Sequence, residues 1–152
     1  MNVIEAVVDF FATIISGVLP GLIKKEPSEQ KKYYEEIRRE IAEALSMYAC
    51  CFRNPVDLAE TRDHILPPLY AEGSHKIREL ASKLKALAET MQQSKSDIPI
   101  SAEKMTDAAG CLYGLSNSFH TPYGTGRCAE DRNAVNNFEK ELRTILGLPT
   151  RN

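Results

Sequence analysis

The densest group of chemistry-bearing side chains is Ser116-Asn117-Ser118-Phe119-His120, continuing through Tyr123 to Arg127. Hydroxyls, an amide, an imidazole, aromatic rings and a guanidinium converge there on a helix end and a loop. An arginine can fork onto a phosphate, Tyr or His can stack on a base, and Asn can read a base edge. Asn117, His120, Tyr123 and Arg127, joined by Arg38 from an earlier helix, are therefore the candidate ligand-binding residues. The plainer account is that Asn and Ser cap the helix while the loop's Gly and Pro serve its turns. Residues 120–127 (HTPYGTGR) follow no strand and do not match a phosphate-cradling spacing.

Other chemistry is sparse. The four cysteines, Cys50, Cys51, Cys111 and Cys128, form no C-x-x-C pair, and only His64, His75 and His120 accompany them. That pattern predicts no structural zinc and no other metal or cofactor, and free thiols in a reducing compartment. Nothing in the spacing specifies a Cys111–His120 dyad, so no enzyme is expected and no catalytic residue is assigned. Lys31, Lys32, Tyr33, Arg38 and Arg39 form a basic-aromatic group that Glu35 and Glu36 interrupt, as on a solvated helix face. Lys24, Lys25, Lys31 and Lys32 could still meet anionic lipid headgroups.

Two acids stand where acids are costly. Residues 3–23 read VIEAVVDFFATIISGVLPGLI, and Lys24-Lys25 follow at once. As a helix this stretch is about 31 Å long, close to the ~30 Å hydrocarbon core of a bilayer. It has no basic region before it, unlike a signal peptide, and the lysine pair after it predicts a cytoplasmic C-terminal domain. At about 100° per residue, Asn2, Glu5, Asp9, Thr13, Ser16 and Pro20 share an arc of roughly 80°. The large aliphatic residues and both phenylalanines lie off that arc. Intramembrane carboxylates face protein or water rather than lipid. If several copies assemble, Glu5, Asp9, Thr13 and Ser16 line a pore whose acidic rings attract cations. The other accounts are an interfacial helix with its stripe toward water, or a core helix of a soluble bundle.

Chain-wide charge narrows the partners. There are 19 basic and 21 acidic residues. Glu5 and Asp9 are the only charged residues before Lys24, so the remainder is neutral overall. It has no broad basic field of the kind that drives nonspecific nucleic-acid binding, and a nucleic-acid ligand would need a local pocket.

The elements that must position these residues are helical. Ser28 is a predicted N-cap of a helix to about Phe52, with Tyr34, Ile37, Ile41, Leu45, Tyr48 and Phe52 inward. Asn54-Pro55-Val56-Asp57 reads as the start of a short helix ending at Leu66, before Pro67-Pro68. Ile77, Leu80, Leu84, Leu87 and Met91 repeat at 3, 4, 3, 4 on a helix from about Tyr70 to Gln92, a seam for near-antiparallel packing. Residues 93–100 are a linker. Ser101 caps a helix to about Phe119 with the seam Met105, Ala109, Leu112, Leu115 and Phe119, rich in small residues. The last helix spans about Ala129 to Leu146, with Val135, Phe138, Leu142 and Ile145 inward. No strand-like alternation occurs. The expected fold is all-α: an N-terminal membrane helix over residues 1–25, then an antiparallel bundle of about four main helices over residues 26–152.

The striped helix, the Lys24-Lys25 flank and the segment AAGCLYGLSNSFH at Ala108–His120 give this chain a layout that resembles small bacterial membrane effectors of anti-phage defence, of the Hailong channel-forming type. The resemblance covers the layout rather than a diagnostic motif. It implies an oligomeric ion channel whose cytosolic bundle binds a single-stranded DNA oligomer that holds it closed. From residues and resemblance together, the expectation is a ligand-sensing homo-oligomeric pore in the inner (cytoplasmic) membrane. Its ligand would be a nucleotide or single-stranded DNA oligomer. The alternative is a membrane-tethered or soluble helical module that scaffolds a protein partner.

Overall fold

Ser28 starts the first helix by chemistry the sequence announces. Its hydroxyl accepts the Lys31 amide at 3.1 Å, and α1 runs Glu29–Arg53. The computed structural model describes residues 26–93, 95–121 and 129–150. Glu5, Asp9, Thr13 and Ser16 lie outside the described residues, as do Tyr123 and Arg127. The apolar positions of α1 fall three or four apart, and all six expected inward residues are buried. The helix α2 spans Pro68–Met91 and buries its whole predicted heptad seam. The helix α3, Ala102–Ser116, is capped by the Ser101 hydroxyl on the Lys104 amide at 3.2 Å and ends in a 3-10 turn, Asn117–Phe119. The helix α4 spans Ala129–Leu146, and Gly147, in a left-handed conformation (φ 59°), ends it.

These four helices form an antiparallel bundle closed into a ring. Tyr48 of α1 reaches Glu72 of α2, Ser74 of α2 reaches Ser116 of α3, and Arg53 of α1 reaches Glu139 of α4. On α3, Gly114 lies so close to the Phe138 ring of α4 that a Cβ there would sit 2.6 Å from it. The α2–α3 interface is the most extensive and the α1–α4 seam the least. Among the described residues no helix is long and apolar enough to cross a membrane.

Three expectations need correcting. Residues 54–66 do not form a short helix. Val56–Asp57 pairs as a strand, β1, in parallel with His120–Thr121, β2, and Arg62–His64 makes a 3-10 turn. Asp57 turns its carboxylate back onto the Ala59 amide at 2.9 Å, as in an Asx turn, and Asp63 and His64 take left-handed φ of 57° and 55°. That backbone does not propagate a helix. The strand pair is also a departure from the strandless reading; its partners are 64 residues apart in sequence, so no local periodicity announces it. Finally, α4 buries a wider face than predicted: Leu146, Glu139 and Arg143 are buried with Val135 and Leu142, while Phe138 and Ile145 are partly buried and pack against the core.

The ring has two different poles. One gathers the entry to α1, the link between α2 and α3, and the tail after α4. There the Ser28 backbone amide donates to Asp97 at 2.9 Å, and its hydroxyl donates to the same carboxylate. The linker is thus tied down, with Ile98 buried beneath it. The other pole carries residues 54–67 and the β1–β2 pair. Phe119 anchors it, fully buried, with its ring centroid 6.0–6.4 Å from those of Phe52, Tyr48 and Tyr70. Tilted and edge-on ring pairs of this kind add stability beyond their burial.

Candidate functional site

The Phe119 pole positions two of the five candidate ligand residues. The 3-10 turn carries Asn117 to the surface, where its Oδ1 accepts from Arg78 Nη2. That guanidinium also lies 5.9 Å from the centre of the Tyr113 ring, whose hydroxyl shares a 2.9 Å hydrogen bond with Ser82. The neighbouring serines are occupied by structure. Ser116 is buried and exchanges bonds with Ser74, Oγ to backbone in both directions at 2.9 and 3.1 Å, and Ser118 Oγ donates to Gly114 O at 2.7 Å. His120 begins β2, and its Nδ1 is buried with no hydrogen-bond partner among the described residues. A buried ring nitrogen without a partner forfeits the solvation it had in water. Asn117 and His120 therefore sit together at one pole, one exposed and paired, the other half-buried and unsatisfied.

Arg38 sits elsewhere. Its Nε and Nη2 donate to the backbone oxygens of Leu146 and Gly147 at 2.6 and 2.8 Å, closing the last carbonyls of α4 from the neighbouring helix. It is one-third exposed, with Glu35 3.7 Å away. Measured along α1, it lies roughly 20 Å from the level of Phe52, where Phe119 packs. The sequence grouped Arg38 with the pole residues by chemical type; the antiparallel fold places it toward the opposite pole.

Two members of the basic-aromatic group pair within their own helix: Lys32 with Glu29 at 2.9 Å and Arg39 with Glu43 at 2.8 Å. Between α1 and α2, Lys76 binds Glu40 at 2.8 Å and Lys83 binds Glu79 at 3.0 Å. The Lys76 hydrogen bond holds Glu40 below the usual carboxylate range, and the Lys83 bond does the same for Glu79.

The buried thiols of Cys51 and Cys111 are poor nucleophiles. Burial pushes Cys51 up to about 11, helped by the Cys50 sulfur 3.8 Å away. Burial pushes Cys111 up to about 12, with Glu141 adding to it. What raises Cys111 is burial and two carboxylates, Glu141 and Asp107, rather than the histidine a reactive dyad needs. Among the described residues no three His, Cys, Asp or Glu side chains are grouped to hold a metal ion.

The sequence reading missed the most unusual polar arrangement. Glu139, 5% exposed, sits between two arginines of different helices. Arg53 donates from Nε and Nη2 to its Oε2 at 3.2 and 2.6 Å, and Arg143 donates from Nε to its Oε1 at 3.1 Å. Arg143 Nη1 then donates to Pro149 O at 2.9 Å, folding the tail back along α4. Only the i,i+4 Glu139–Arg143 spacing hinted at this; the partner from α1 lies 86 residues away. No protein-family model matches this chain, and it is similar to no curated protein and no solved structure.

Proposed function

We propose that the chain is a homo-oligomeric membrane protein of the inner (cytoplasmic) membrane, an ion channel or pore-forming effector. Its N-terminal helices line the pore with Glu5, Asp9, Thr13 and Ser16. The cytosolic bundle assembles the subunits and senses a ligand, a nucleotide or single-stranded DNA oligomer, at the pole of Asn117 and His120, where Tyr123 and Arg127 follow in sequence. The observation that carries this reading is the closure of the ring. α1 to α4 each pack against two neighbours and fill their own core, and Ser28 clasped to Asp97 marks where the bundle begins. The apolar stretch over residues 3–23 is then not needed to complete the bundle, which leaves its wide apolar face for lipid and its acidic stripe for water.

The test is the double substitution Glu5→Leu with Asp9→Leu in full-length protein. Membrane association survives and ion flux is abolished. Unchanged flux in the double mutant sinks the pore.

A second reading, a membrane-tethered or soluble interaction module without pore activity, draws on a different observation. Ile65 and Leu69 are 67% and 48% exposed on the segment between left-handed His64 and the body of α2. Two projecting apolar side chains on one short segment suit a protein partner. A monomer after detergent extraction, with no effect on membrane potential, selects this reading over the pore.

A further inference from the structure

The α1–α4 seam contains more positive charge than its own structure uses. Beside the Arg53–Glu139–Arg143 triad opens a groove of about 340 Å³, lined by Arg53, Asn136, Glu139, Lys140, Arg143 and Thr150. Three cations face one carboxylate there. Glu139 has both oxygens occupied by the arginines, and among the described residues no carboxylate pairs with Lys140. The groove therefore keeps two positive charges unanswered. Arg53 is 36% exposed, so its guanidinium reaches solvent while part of it holds Glu139.

We propose that this groove binds a phosphorylated small molecule, with its phosphate held by Arg53, Lys140 and Arg143. A phosphate monoester carries about −1.5 to −2 charges at neutral pH, which matches the unanswered pair. Guanidinium forks suit phosphate oxygens geometrically, and a lysine adds a mobile point charge. The Glu139 carboxylate fixes both arginines in advance, so little side-chain freedom is lost on binding. The Asn136 amide and Thr150 hydroxyl at the rim can bond the group that carries the phosphate. The volume falls at the small end of ligand sites, ~300–1,000 Å³, which fits a mononucleotide or a sugar phosphate better than a polymer. A triad that served stability alone would not require Lys140, and a buried ion triad is in any case a weak source of stability compared with apolar packing. Occupancy of this groove requires neither a pore nor membrane insertion, so it stands or falls separately from the channel reading.

The experiment is isothermal titration calorimetry of the full-length chain in low-salt detergent buffer, with adenosine 5′-monophosphate and with inorganic phosphate as separate probes. Lys140 is exposed, so Lys140→Ala leaves the fold intact. The nucleotide binds with one molecule per chain. Lys140→Ala and Arg53→Gln each weaken it by about tenfold or more, Lys140→Arg retains it, and Lys85→Ala on the exposed side of α2 leaves it unchanged. Binding of inorganic phosphate as tight as that of the nucleotide supports the phosphate subsite and assigns the free anion as its ligand. No heat from either probe at millimolar concentration, or binding that survives both Lys140→Ala and Arg53→Gln, overturns the proposal.

Discussion

Gly73 and Gly110 both lie inside helices, and alanine at the two positions should act with opposite sign. Replacing a helical glycine by alanine ordinarily gains about 1 kcal/mol, because the unfolded chain loses freedom and the helix gains a good former. At Gly110 a Cβ meets nothing within 4 Å, so Gly110→Ala keeps that gain, about 0.5–1 kcal/mol. At Gly73 the same atom would stand 2.6 Å from Tyr48 Cδ1 and 2.6 Å from Phe119 Cε1. Neither ring can swing aside cheaply. Tyr48 is buried and its hydroxyl is bonded to Glu72 at 2.7 Å; Phe119 is fully buried among three other rings. Overpacking of this kind costs about 1–3 kcal/mol, and two blocked rings put it in the upper half. Subtracting the propensity gain leaves Gly73→Ala less stable by about 1–2 kcal/mol. Urea unfolding followed by helical circular dichroism reads both variants against the parent chain. In a thermal melt each kcal/mol corresponds to roughly 2–4 °C, so the two variants separate clearly. A Gly73→Ala chain as stable as the parent, with Gly110→Ala behaving as stated, refutes the claim that the Tyr48 and Phe119 rings cannot yield at Gly73.

Two further outcomes follow from bonds and buried protons. Arg38→Ala removes both donors from the Leu146 and Gly147 carbonyls and costs about 1.5 kcal/mol, with faster amide exchange confined to the end of α4; slowed or unchanged exchange there rejects the capping role. Alkali destabilises the bundle from about pH 9 upward, because burial raises Cys51 from 9.0 to about 11 and Cys111 from 9.0 to about 12. The unfolded chain releases those protons first, so stability is full below pH 9 and is lost as the pH climbs through the folded values. Tyr34, Tyr48 and Tyr70 are also raised, by burial for Tyr34 and Tyr70 and by the Glu72 hydrogen bond for Tyr48, and they add to the same loss. Cys111→Ala should flatten the slope of unfolding free energy between pH 9 and 11; an unaltered slope removes Cys111 from this account.

What the sequence made legible was whatever a local period encodes. The seams of α1, α2 and α3 follow three- and four-residue spacings, and each of their predicted residues is buried. Ser28 and Ser101 cap as their positions indicate. What it hid depends on distant partners. Val56 and Asp57 read as a helix start until His120 and Thr121 offer them a strand. Glu139 and Arg143 carry no sign of burial in the local sequence, because the Arg53 that pairs with Glu139 lies 86 residues away. Side-chain chemistry alone carries no information about depth along the bundle, so Arg38 resembles Asn117 and His120 as a ligand residue although it caps α4 toward the other pole.

The seam between α1 and α4 also sets an order of events. Its links join residues 86 to 109 positions apart, whereas α1–α2 and α2–α3, with their caps, are bridged over 16 to 43. Loop-closure entropy and the bias toward local contacts make the nearer pairs assemble first. During synthesis α1 therefore waits, its flank uncovered, until α4 leaves the ribosome. The seam that shuts last is also the least extensive, and its polar links rest on two arginines, Arg38 and Arg53, so it is the natural line along which the finished bundle breathes.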